Sequence, residues 1–164
     1  MKMGEIMEIF KNIEQQVSKE KEEKKKKKYD ELISYIANLR EFSQLDIEDY
    51  AVEGGIADFV AKDIKERMKV NQLRKFFEGI KRVQADYKGE NEEVLIDKTR
   101  LYKVLPELAY ALGRKLVTQE YYKLVKVCIR TDDGKSKIKT VKDLNRFVDF
   151  LSAILAYHKM HSRS

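Results

Sequence analysis

The sequence predicts an all-α protein, a compact single-domain bundle of five to six helices with a long N-terminal helix. Three observations lead to that reading. The 164-residue chain holds one proline and seven glycines, which leaves room for long helices. Apolar residues recur at spacings of three and four along most of it. Hydrophobic residues make up 43% and charged residues 38%, enough to fill one core beneath a surface crowded with charge. The expected organisation is one helical domain over 1–164, with a lysine-rich N-terminal helix over 1–42 and a helical core over 54–161.

Met3, Ile6, Phe10, Ile13 and Val17 form the stripe of an amphipathic helix. The run KEKEEKKKKK, Lys19 to Lys28, then passes without an apolar residue, and Tyr29, Leu32, Ile36 and Leu39 resume the rhythm. One helix from Glu5 to Arg40, or two with a frayed join, accounts for this. The lysine run reads either as a solvated stretch projecting from the body or as an electrostatic arm for RNA. The apolar stripe ahead of it has two destinations, the chain's own core or a second copy.

Ser43 to Gly55 holds several acids and a Gly-Gly pair and reads as a loop. Ile56, Phe59, Val60 and Ile64 mark a short helix. Asn71 is the expected N-cap of the next one. There Leu73, Phe76, Phe77, Ile80, Val83 and Tyr87 share a face. At about 100° per residue, Arg74, Lys81 and Arg82 gather on the opposite side with Lys75 at its margin. Lys88 to Glu93 is a loop. Thr99 is expected to cap a turn through Leu105, and Pro106 to open the following helix at its first position. That helix should bury Leu108, Ala109 and Leu112. It should end near Gly113 in a glycine cap, with Arg114 and Lys115 where cations favour the helix dipole.

Thr118 to Arg130 fits two patterns. VKVCIR, TDDG and KSKIKTV read as a hairpin with a glycine-containing turn. Tyr121, Leu124, Val125 and Cys128 also fit one helical face, with Lys123, Lys126 and Arg130 beside Gln119 on the other. Helix is the preferred reading, and Thr131 to Lys139 is then a polar loop. The last helix spans Thr140 to His161 on the stripe Val141, Leu144, Val148, Leu151, Leu155 and His158.

The chemistry is thin. No phosphate-binding loop or dinucleotide fingerprint is present. Cys128 is the only cysteine, which rules out an intrachain disulfide and a cysteine-based zinc site; a buried small hydrophobe is the expected role. His158 and His161 stand one helical turn apart, but no thiol or carboxylate joins them at local ligand spacing. A half-buried His158 and a solvated His161 are expected. Carboxylates elsewhere alternate with lysines as surface ion pairs. No cofactor, no metal and no enzymatic activity are expected.

Charge supplies the positive signal. The net charge is +6 and the pI about 9.2, which favours polyanionic partners. Three basic sets lie opposite apolar faces: Arg74, Lys81 and Arg82; Arg114 and Lys115; Lys123, Lys126 and Arg130. No apolar run is long enough to span a membrane, and the charged N-terminus is unlike a signal peptide, so a cytoplasmic location is expected.

Three stretches carry a family resemblance: NQLRKFFEGIKRV (Asn71 to Val83), LPELAYALGRK (Leu105 to Lys115) and FVDFLSAILAYHK (Phe147 to Lys159). In order and spacing they resemble the small subunit of the Csm complex, the type III-A CRISPR–Cas interference machine. The region before Ile56 carries little of that signal. The resemblance implies a helical, non-catalytic subunit stacked in several copies beside the subunits that hold the CRISPR RNA, gripping the target RNA. Carried onto this chain, it marks Arg74, Lys75, Arg114, Lys115 and Lys159. Helical geometry adds Lys81, Arg82, Lys126 and Arg130. The expected partners are target RNA and CRISPR RNA through sequence-independent backbone contacts, other Csm subunits and further copies of this chain, with no membrane. The competing readings are a structural helical module without RNA contact, an enzyme with a dispersed site, and a basic amphipathic helix lying on a membrane.

Overall fold

The computed structural model describes residues 3–162. Its helices are α1 (Met3–Ala37), α2 (Ile47–Tyr50), α3 (Ile56–Ile64), α4 (Val70–Ala85), α5 (Lys98–Tyr102), α6 (Val104–Gly113), α7 (Gln119–Ile129) and α8 (Val141–His161), with a 3-10 turn at Phe42–Gln44. Six of these have nine residues or more. The all-α reading holds, and only two isolated antiparallel bridges occur among the described residues.

α8 is the element on which the others assemble. Its stripe of Val141, Leu144, Phe147, Val148, Phe150, Leu151, Ile154 and His158 is buried, and α3, α4 and the 3-10 turn pack against it. Thr140 and Asp143 close a reciprocal capping box at its start. α4 runs antiparallel to α8. Gln84 donates to Asn145 at one end (2.9 Å), and His158 Nε2 donates to the Met68 carbonyl at the other (3.1 Å). His158 is therefore fully buried rather than half-buried, and Leu155 is half-buried beside it. Phe42 meets Phe147 edge-on at 5.4 Å and leans on Phe150 at 6.0 Å.

α1 docks only by its C-terminal third. Tyr29 is buried and its hydroxyl donates to Asp63 of α3 (2.7 Å), while Lys25 pairs with the same carboxylate (3.1 Å). Burial, with Asp63 alongside, drives the Tyr29 phenol far above its ordinary pKa. From Met3 to Lys24 every residue is exposed. The N-terminal stripe thus does not reach the chain's own core.

Several local expectations shift. α1 stops at Ala37 rather than Arg40, because the Lys137 ammonium draws in the carbonyls of Ala37 and Leu39 and the chain then turns to bury Phe42. Lys137 belongs to a stretch expected to be a polar loop, yet Ser136, Lys137 and Ile138 are all buried. The hairpin pattern there survives as one bridge, Arg130 to Ser136, after α7 has run its course. The 43–55 loop contains the 3-10 turn and α2, which Asp46 caps through the Glu48 amide. Gly55 is required where it stands: a Cβ would sit 2.8 Å from the Asp49 carbonyl oxygen.

α4 begins one residue before Asn71, with Lys69 as its N-cap. The anchored Met68 carbonyl fixes where the helix starts, so Asn71 lies in the first turn. Asp97, not Thr99, caps α5, accepting from the Thr99 amide and hydroxyl. α5 and α6 are nearly continuous, which places Pro106 third in α6 instead of first. An amide there would still lack an intrahelical partner, so proline is tolerated. α6 buries Val104 and Leu108, while Ala109 is exposed and Leu112 half-buried. His161 is not solvated; it pairs with Asp58, whose other oxygen accepts from the Gly54 amide (2.7 Å).

Asp143 is fully buried and accepts from the amides of Ser43 (2.9 Å), Lys139 (3.0 Å) and Thr140 (3.2 Å). Asp143→Ala strands those donors, and urea unfolding should show a loss of about 3 kcal/mol. At the other end of α8, the hydrogen bond from His161 and the Gly54 amide outweigh burial and hold the Asp58 carboxyl below its ordinary pKa. Its contribution is complete above the unfolded-state value, about 3.9, and fades as pH falls through the depressed one. Stability of Asp58→Asn should therefore depend less on pH below about 4 than that of the parent chain.

Candidate nucleic-acid interface

α4, α6 and α7 form a row of antiparallel neighbours. Lys75 near the start of α4 faces Arg114 at the end of α6. At the other end, Asp86 after α4 pairs with Arg100 of α5, and Arg130 after α7 lies over the Tyr102 ring at 5.7 Å. This topology decides which cations meet.

Lys75 and Arg114 meet across a cleft of about 130 Å³ between α4 and α6. Gln72, Phe76, Glu107 and Tyr110 also line it. Tyr110 is 67% exposed, unusual for a tyrosine in a cleft wall, and the Arg114 guanidinium stands 5.8 Å from its ring centre. Two cations, an exposed ring and hydrogen-bonding groups are the parts that single-stranded nucleic acid engages, through phosphates and through a stacked base.

The other α4 cations fan out. Lys81 turns the opposite way, over Phe77 (5.8 Å), beside a groove shared with Gln84, Lys88 and Asn145. Arg74 and Arg82 are exposed on the outer ridge between. Glu78, four residues from each, puts a carboxylate within that ridge.

Lys126 and Arg130 stand apart from the cleft. They lie along the C-terminal half of α7: counted from Tyr121, which lines the cleft, Lys126 is about 8 Å and Arg130 about 14 Å along the axis at about 1.5 Å per residue. Lys126 is half-buried, near the Tyr122 ring (6.0 Å), and pairs with Asp132 (3.3 Å). Lys123 instead joins Lys26 in a groove between α1 and α7. Lys159 is exposed beside His158, at the end of α8 that meets the start of α4. The named cations thus form a cleft, a ridge and a distant pair, not one unbroken track.

Sequence reading missed the aromatics. Phe77, Tyr110 and Tyr122 each precede a named cation by four residues, one helical turn. That spacing was a usable signal for the Lys81, Arg114 and Lys126 pairs. Tyr102 under Arg130 is a tertiary contact with no local trace. Among the described residues no group of three or more His, Cys, Asp or Glu is arranged to hold a metal, and no helix is long and apolar enough to cross a membrane. Cys128 is buried, and burial pushes its thiol well above the ordinary range.

Lys115 has its own geometry. It occupies the left-handed region at φ 61°. The Leu116 amide bonds the Ala111 carbonyl and the Lys115 amide bonds Leu112, both at 2.9 Å. This is the double-bonded left-handed cap, whose turning residue is normally glycine. The glycine expected to cap α6, Gly113, is instead its last helical residue.

Compared with known proteins, the chain matches the family model described as Csm2 Type III-A over residues 48–164, from within α2 onward. No curated protein and no solved structure matches.

A left-handed lysine costs about 1 kcal/mol relative to glycine. Lys115→Gly should raise the midpoint of chemical unfolding by about that much, and an unchanged midpoint would show the strain relieved elsewhere.

Proposed function

The chain belongs to the Csm2 type III-A family, and from that premise we propose that it is a non-catalytic small subunit that grips the target RNA backbone and helps hold the effector's subunits in line. Membership makes it a subunit of a type III-A Csm complex. The observation that supports the finer reading is the α4–α6 cleft, where Lys75 and Arg114 converge beside exposed Tyr110 inside the matched region.

The physics sets the mode of binding. Lysine and arginine neutralise phosphates without reading bases, so affinity falls with salt and barely changes with sequence. A single cleft engages few phosphates, and binding by an isolated chain is weak. Copies held side by side along an effector present the cleft repeatedly, and linked sites gain roughly 10²–10⁴ in affinity. Sequence choice then comes from base pairing between target and CRISPR RNA. The non-catalytic part of the reading is supported by the site's chemistry. Glu107 is the one carboxylate among the cleft's lining residues, beside two cations, and the only thiol is buried.

Two measurements on the reconstituted complex test this. Arg74→Glu with Arg114→Glu should weaken RNA binding and reduce the slope of log affinity against log salt by about 0.7 for each phosphate no longer neutralised. Unchanged affinity and slope would point to a structural module whose basic face meets protein. Tyr110→Ala should weaken binding of unpaired RNA about tenfold with the slope intact, because stacking releases no counterions.

A further inference from the structure

The largest unexplained surface lies outside the family-matched region. Met3, Ile6, Met7, Ile9, Phe10, Ile13 and Val17 are each between 40% and 76% exposed on α1. Together they make a contiguous stripe of several hundred Å², at or above the largest patches that monomers usually carry, about 300–600 Å². It cannot fold back. Val17 and Tyr29 are twelve positions apart in one unbroken helix, so the stripe faces about 120° away from the side of α1 that docks on α3 and α7.

The spacing defines what covers it. Met3, Ile6, Phe10, Ile13 and Val17 alternate steps of three and four, the seam of a helix that pairs with another helix. We infer that this stripe pairs with the same segment of a second copy of the chain, antiparallel. A self-complementary patch counts twice in a two-fold interface, and a stable interface needs about 800 Å² from each partner. The stripe, flanked by the stems of Lys11, Glu14 and Lys21, is of that order.

Charge selects the orientation. Residues 18–28 carry seven lysines and three glutamates. A parallel pair would set two such runs side by side. An antiparallel pair sends them to opposite ends, each beyond the Debye length of the other, and also opposes the helix dipoles. The antiparallel register that sets Phe10 against Ile13 of the second copy sets Ile6 against Val17. The two bodies, which begin near Lys25, then stand at opposite ends of the pair.

The test uses the full chain. Light scattering across a micromolar concentration series should give a dimer, and Phe10→Glu with Ile13→Glu should halve the mass to the 19.4 kDa of one chain. Neither side chain touches the body, so the near-ultraviolet circular dichroism of the body's tyrosines should match that of the parent and exclude misfolding, whereas the thermal midpoint is expected to fall with the loss of association. In an equimolar mixture of Ile6→Cys and Val17→Cys chains, mild oxidation should link the two different chains. Links only between like chains would overturn the antiparallel orientation. A parent chain that stays monomeric would overturn the pairing itself. Protection of Ile6–Val17 from hydrogen exchange only in the assembled effector would then assign the stripe to another subunit, and flotation with anionic vesicles would assign it to a membrane.

Discussion

Two buried charges hold together segments about a hundred residues apart, and neither is neutralised by the other. Asp143, in the first turn of α8, accepts from the amide of Ser43, one hundred residues away. Lys137 donates to the carbonyls of Ala37 and Leu39 where α1 ends. Between them the Phe42 amide donates to the Lys137 carbonyl at 2.8 Å. The segment after α1 is thereby strapped along the segment before α8. Each charge is met by backbone dipoles: a cation at the negative end of a helix, a carboxylate at a cluster of amides. A buried charge so satisfied is tolerable, whereas a stranded one is not. The strap carries Phe42 onto Phe147 and Phe150, and so fixes where α1 leaves the body relative to α8.

The strap also explains where sequence reading ended. Periodicity located the long helices because each buries a stripe on its neighbours, and stripes are written locally. Cys128, Leu73 and Leu144 could be assigned to the core by position on a helical face. Lys137 could not. A lysine between serine and isoleucine looks like loop surface, and only the arrival of α1's last carbonyls makes its burial tolerable. Caps were misplaced for a related reason. Asn71 and Thr99 have suitable side chains, but Met68 held by His158, and Asp97 just ahead of Thr99, decide where α4 and α5 begin. Lys115 in the left-handed region was equally invisible, since Gly113 two residues earlier offered the obvious cap. In the candidate interface the residue types were legible and their grouping was not, because grouping depends on which helix ends are neighbours.

That grouping bears on how the surface works. Lys75 and Arg114 share one cleft, while Lys126 and Arg130 lie about 8 and 14 Å farther along α7 from the cleft-lining Tyr121. At physiological ionic strength the Debye length is about 8 Å. On the proposed reading Arg130, beyond that length, meets a polyanion as a separate foothold, and the pairing of Lys126 with Asp132 weakens the cation nearer the cleft. On that same reading, a single chain with one good foothold is a poor ligand for RNA. The same chain repeated at fixed intervals becomes a good one, since each foothold after the first binds at high effective concentration. If the surface grips RNA as proposed, the arrangement calls for assembly, and the carboxylates interleaved on the ridge limit adhesion of stray single copies.

The phase of α1 makes the same point from the other end of the chain. Its two apolar stripes are twelve positions apart at Val17 and Tyr29, about 120° out of register. Eleven positions would have brought them within about 20°, giving one continuous stripe. Alignment alone would still not bury the first stripe, because twelve residues carry it about 18 Å along the helix axis, and every described residue before Lys25 is exposed. The first part of the lysine run, up to Lys24, is thus a rigid, solvated spacer that offsets the stripe in both distance and angle. A flexible linker of equal length would let the stripe search back to its own core. A continuous helix forbids that return, so the apolar face of α1 is directed outward by construction and its burial requires a partner.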